Sequence, residues 1–250
     1  ATPHLGASTN EAQENVAIQI AEQMADYLTR GAVTNALNMP SITAEEAPRL
    51  KPFIALAENL GRFAGQLTET SVKAIEVVYA GGVAKLNTRP MTAAAVAGVL
   101  RPMLAEVNIV NAPLIAKERG IAIAETYRDD AENFESVIRL RIVTERQDRT
   151  VSGALFGQTP RIVEIKGVEM EASFAPHMLY VTNADKPGFI GALGQTLGAA
   201  NVNIATFNLG RSAPGADAIA LLAVDEPVTD ATLEKVCGLP HVKQAKSLKF

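Results

Sequence analysis

The segment Asn183-Ala184-Asp185-Lys186-Pro187-Gly188 sets an amide, an acid and a base in a Pro-Gly turn, just ahead of an apolar helical stretch. A helix N-terminus presents unsatisfied N–H groups and the positive end of its dipole, so it favours an anion. Asp185 beside that end can hold an ammonium while the N–H groups hold a carboxylate. Asn203, at the start of the following strand, adds an amide that can donate or accept. Together they could cradle a small free amino acid. The residue types leave a plainer alternative open: Asp185 as a turn or N-cap residue, and Asn203 as a strand-start residue.

A second candidate is His4, within Pro3-His4-Leu5-Gly6-Ala7-Ser8-Thr9. An imidazole titrating near neutrality suits general acid/base work, although spacing alone also allows a loop histidine with no chemistry. Arg139 and Arg141 share a strand face and suit a solvated surface. The three histidines are far apart and there is one Cys, so no zinc-ligand spacing occurs and no metal is expected. No two glycines lie two apart, so the dinucleotide fingerprint Gly-x-Gly-x-x-Gly is absent.

Composition narrows the classes further. With 250 residues and 48% hydrophobic content the chain can bury one large core or two smaller ones. A net charge of −4 argues against nucleic acid as a main partner. The most apolar window, Met91 to Leu100, is Ala-rich and too short to span a bilayer. Cys237 cannot form an intrachain disulfide and is expected to be a buried thiol, which fits a reducing cytosol.

These residues need elements to position them. Ser8 with Glu11 fits a capping box, followed by Val16, Ile20, Met24 and Leu28 at helical spacing and a stop at Arg30-Gly31. Residues 32 to 48 have no sustained period and read as an extended strap between domains. Residues 49 to 67 are helical in spacing, and residues 71 to 80 alternate as a strand that ends in a Gly81-Gly82 turn. Thr92 to Glu106 reads as a helix kinked or ended by Pro102, and Asn111-Ala112-Pro113 opens another. Ile121–Tyr127, Ser136–Thr144, Thr150–Phe156, Arg161–Ile165 and Glu169–Phe174 read as strands of an antiparallel meander. From His177 the order is βαββαβ, the ferredoxin-like arrangement. Its first helix carries Gly191, Gly194 and Gly198 on one face, implying close approach of a backbone, partner or ligand, with Ile190, Leu193 and Leu197 as the core stripe. The fold class is therefore α+β: residues 1–31, a linker at 32–48, an α+β domain at 49–176 and a βαββαβ domain at 177–250.

Residues 177–250 resemble an ACT domain, with Asp185-Lys186-Pro187-Gly188 at the ligand turn and Asn201-Val202-Asn203-Ile204 at the second strand. The opening His4 loop resembles the catalytic-histidine segment of D-2-hydroxyacid dehydrogenases. Between them lie Phe134-Glu135-Ser136-Val137, Val151-Ser152-Gly153-Ala154-Leu155-Phe156-Gly157 and Arg161-Ile162-Val163-Glu164-Ile165. In that order the segments resemble the long-type D-3-phosphoglycerate dehydrogenase family.

The resemblance implies a cytoplasmic, NAD-dependent oxidoreductase of L-serine biosynthesis, of which this chain is the regulatory and oligomerisation half. It implies L-serine as allosteric effector at Asn183, Asp185, Gly188 and Asn203, bridging two copies in a homo-oligomer, with residues 32–48 passing the bias on as a hinge. It also implies His4 as the general acid/base of an incomplete catalytic site, so NAD belongs to the parent enzyme and is not expected to bind this chain. Arg161 matches one position of an anion-binding cluster, while Ser173 falls where some relatives carry a basic residue. Two other functions remain open: a ligand-free oligomerisation module, and the amino-acid-binding part of another enzyme such as an iron–sulfur serine dehydratase. A single Cys tells against the cluster that such a dehydratase needs.

Overall fold

A computed structural model describes residues 5–250, so His4 lies outside the described residues. The chain forms two compact units that divide after Pro52. In the first, a short 3-10 turn at Leu5–Ser8 leads into helix α1, Asn10–Arg30. Its N-cap is Thr9 rather than the expected Ser8: the Thr9 hydroxyl accepts the Ala12 N–H at 3.1 Å, three residues on, where an N-cap side chain reaches. Gly31 closes the helix at φ 75°, donating to the Tyr27 carbonyl. No α1 residue is buried, and Leu28 at the end of the apolar stripe is 77% exposed.

The following segment is not an extended strap. It doubles back, with Val33 and Ile42 exchanging both backbone hydrogen bonds at 2.7 Å. Thr43 and Glu46 then form a reciprocal capping box. The Glu46 carboxylate accepts from the Thr43 N–H and hydroxyl, and the Glu46 N–H donates to Thr43 Oγ1. Helix α2, Ala47–Gln66, follows.

The second unit contains two sheets. The larger has six strands in the order β2-β1-β3-β4-β5-β6. These are β1 Val72–Gly81, β2 Ala122–Arg128, β3 Ser136–Thr144, β4 Asp148–Phe156, β5 Thr159–Ile165 and β6 Val168–Ser173. Strands β3 to β6 form the expected antiparallel meander, but β2 does not belong to it. It pairs parallel to β1 on the far edge, Ala74 opposite Ala122, because the chain between them crosses over through helices α3 Arg89–Leu100 and α4 Ala112–Glu118. Pro102 lies beyond the end of α3, which stops at Leu100.

Helix α3 is buried from Pro90 to Leu100, which accounts for its alanine content. It meets α2 backbone to backbone through Gly61, Gly65 and Gly98; a Cβ on Gly65 would stand 2.5 Å from the Val99 carbonyl oxygen. Leu56 and Leu60 of α2 pack on Gly153 of β4, fixing which sheet face the helices cover.

The smaller sheet comprises β7 His177–Ala184, β8 Ile204–Arg211, β9 Asp217–Val224 and β10 Val242–Lys249, in the order β10-β7-β9-β8. With helices α5 Phe189–Ala199 and α6 Asp230–Cys237 it completes the βαββαβ order. One face buries Leu179, Val181, Leu193, Leu197, Leu222 and Val236 in a single core. On the other face Tyr180 meets Phe63 of α2 edge-on, at 5.8 Å between ring centroids. Gly210 of β8 lies flush on β6: a Cβ there would come 2.6 Å from the Glu169 carbonyl oxygen.

Two expectations fail here. Cys237 is exposed, on the outer side of the last turn of α6. Ile190 is 55% exposed, because Phe189 takes the core position in the first turn of α5, beside Leu193 and Leu197, and the next residue along the helix turns away from it.

Candidate functional site

Strand β7 is central in its sheet, so the turn that follows it is held on both sides. The Ala184 N–H donates to the His241 carbonyl at 2.9 Å and the Asp185 N–H to the Ala216 carbonyl at 2.8 Å. The turn then runs to Gly188, whose φ of 93° is a left-handed conformation that suits glycine. No side chain caps α5, so its first-turn N–H groups face outward unclaimed by a capping residue. A cavity of about 400 Å³ opens here, lined by Asn183, Asp185, Gly188, Ile190, Leu209 and Arg211 among others.

Asp185 is not free in this cavity. Its Oδ2 accepts from the Arg211 guanidinium at 2.6 Å and from the Gly215 N–H at 3.0 Å. The Gly215 N–H first, and Arg211 second, hold its carboxyl below the usual aspartate range. Asn183 is 1% exposed; its Nδ2 donates to the Ala184 carbonyl at 2.9 Å, while its Oδ1 is buried with no donor. A buried acceptor left unmatched costs free energy that a donor from a ligand would recover.

Asn203 is not brought to this cavity. Helix α5 runs back across the sheet, so β8 begins at the end opposite the Asp185 turn. Ile204 stands opposite Val224, while Arg211 stands opposite Ala218 and Ala184 opposite Asp217. Six residue steps of β9, about 20 Å, separate the two ends. At its own end Asn203 donates to Asp225 Oδ2 at 2.6 Å.

Arg211 is the residue that reading the sequence missed. Its signal was topological: in βαββαβ order β7 and β8 run in the same direction, so both strands finish at the same end of the sheet.

Arg161 is also engaged. It pairs with Glu171, and its guanidinium carbon lies 4.7 Å from the Phe156 ring centroid; Ser173 faces it across the ladder. Beside it a cavity of about 470 Å³ opens on the six-stranded sheet. Its walls carry Asp130, Glu132, Glu164, Glu169 and Glu171 against Arg128 and Arg139, an acidic lining that does not favour an anion. Arg139 and Arg141 are not merely solvated. Arg139 bonds Glu164 at 2.9 Å and Ser152 at 3.0 Å, and Arg141 bridges Glu76 and Asp148.

Residues 49–166 match the D-3-phosphoglycerate dehydrogenase intervening domain and residues 177–241 match the ACT domain. A D-3-phosphoglycerate dehydrogenase of Methanocaldococcus jannaschii is 36% identical over 97% of this chain and 46% of its own length. Those of Bacillus subtilis and Synechocystis are 35% and 36% identical, over 98% and 100% of this chain and 47% and 46% of their own lengths. The chain thus spans about half the length of the curated relatives it matches.

Proposed function

We propose that the chain is the regulatory and oligomerisation part of a D-3-phosphoglycerate dehydrogenase, binding L-serine as allosteric effector at the Asp185 turn. The observation that carries this reading is the buried, unmatched Oδ1 of Asn183, which lines the same cavity as Asp185 at a helix start without a cap. In this arrangement the ammonium of serine faces Asp185 and Asn183 Oδ1, and its carboxylate faces the N–H groups of α5. Asn203 serves the same ligand from a second copy of the chain, since its own lies at the wrong end of the sheet. Gly191, Gly194 and Gly198 have open space beside them, which suits a second copy packed on that side of α5.

Occupancy of the two-copy site favours one relative orientation of the copies. The activity so regulated is NAD-dependent oxidation of 3-phosphoglycerate in serine biosynthesis, with His4 as general acid/base, in a cytoplasmic homo-oligomer. The chain contains no dinucleotide-binding fingerprint, so no step of hydride transfer is assigned to its described residues. No helix among the described residues is long and apolar enough to cross a membrane.

Calorimetry tests the effector. L-serine is expected to bind saturably, and Asp185→Ala to weaken it by about tenfold or more, the worth of one charge-assisted hydrogen bond. Equal affinity in the two proteins would sink the site.

A further inference from the structure

We infer that Arg211 reads the carboxylate of the effector, so that a zwitterion enters by dividing the Asp185–Arg211 ion pair between its own two charges. This rests on the effector reading above and adds the residue that makes the site specific for an amino acid. Asp185 and Arg211 line the same cavity and are bonded to each other at 2.6 Å. A cation that takes Asp185 strands Arg211, and an anion that takes Arg211 strands Asp185. A molecule bearing both charges on adjacent carbons leaves neither without a partner.

The surroundings favour the same polarity. Lys186 and the start of α5 add positive potential to Arg211, against the single carboxylate of Asp185, so the cavity has room for one further negative charge. Arg211 can make the exchange because its stem and its head differ in freedom. The main chain beside it is fixed, since Gly210 is buried flush on β6 and Arg211 is in register with Ala218. The side chain is 53% exposed, so the guanidinium can swing from Asp185 to an incoming carboxylate without moving the strand. Leu209, two residues earlier on the same strand face, lines the cavity as well, which places the Arg211 head on the ligand side.

Titration calorimetry on the chain and on Arg211→Met and Arg211→Lys tests this with three ligands: L-serine, serinol, which lacks the carboxylate, and 3-hydroxypropionate, which lacks the ammonium. The native chain is expected to bind L-serine at least 30-fold better than either analogue. Arg211→Met is expected to weaken L-serine about 10- to 100-fold, the range of one hydrogen bond to a charged group. It is also expected to leave serinol unchanged or tighter, because Asp185 is released. Arg211→Lys should fall between, keeping the charge without the fork.

L-serine affinity within twofold in Arg211→Met overturns the assignment. So does an equal loss of L-serine and serinol, which would show that the pair only holds the turn; far-ultraviolet circular dichroism identifies a variant that has failed to fold. If the native chain ignores L-serine but binds another of the twenty amino acids, only the identity of the effector falls, and the variants are compared on that ligand. If it binds none, the effector reading and the role of Arg211 fall together.

Discussion

Glycines line the α2–α3 crossing and one face of α5, and the two places differ in what lies against them. At the crossing every added Cβ meets backbone: one on Gly98 would stand 2.8 Å from the Arg62 nitrogen and closer still to the Glu58 carbonyl oxygen. On α5, Gly191, Gly194 and Gly198 have nothing within 4 Å. Each helical glycine costs about 1 kcal/mol relative to alanine. At the crossing that cost is offset by packing within the chain, and on α5 nothing in the chain offsets it. The same spacing therefore signals close approach in both places without saying whose backbone approaches.

Substitution should break the likeness. Gly98→Ala is expected to lower the unfolding free energy by about 2–3 kcal/mol, because neither helix backbone can yield. Gly194→Ala should instead be neutral or stabilising by up to about 1 kcal/mol in dilute solution, while raising the dissociation constant for self-association in the ultracentrifuge. Equal denaturation midpoints for the two variants would erase the distinction.

The two arginines of greatest interest differ in a parallel way. Arg149 is 3% exposed with all three nitrogens unbonded, and burial pushes its guanidinium below the usual value. Glu69, the carboxylate that acts on it, is taken by Lys246 at 2.6 Å. Arg211, by contrast, is exposed and paired. Arg149→Met is expected to raise stability by about 2 kcal/mol, since an uncompensated buried charge is replaced by apolar volume. A loss of stability on denaturant melting would reveal a partner for Arg149.

The smallest effect belongs to Asp185. Its folded value is depressed, so its contribution to the turn is in full force above the ordinary aspartate value, about 3.9, and is lost as pH falls through the depressed one. Carbon-13 titration of its carboxyl should show a midpoint below the ordinary value, moving back up in Arg211→Met. A midpoint that does not move would mean the Gly215 N–H alone sets it.

Much of the fold was legible because it is written locally. The βαββαβ order, the ends of α5 and α6 and strands β3 to β6 follow from apolar period and turn residues over ten or so positions. What escaped depends on distant partners. The parallel seat of β2 is set by a crossover of more than thirty residues, and nothing within Ala122–Arg128 announces it. Asp185 and Asn203 look like one site along the sequence, yet the return path of α5 sends them to opposite ends of a sheet. Arg211, 26 residues from Asp185, is brought beside it by that same path.

That a single strand is preceded by Asn203 and ends at Arg211 has a genetic consequence in the proposed two-copy arrangement. Each β8 then serves two sites at once, one with each end. A chain altered at Asn203 keeps its own Asp185 turn sound and spoils its neighbour's, so the defect shows in the partner. Paired with itself, either altered chain would have no intact site, whereas chains altered at Asp185 and at Asn203 would rescue one site in every mixed pair.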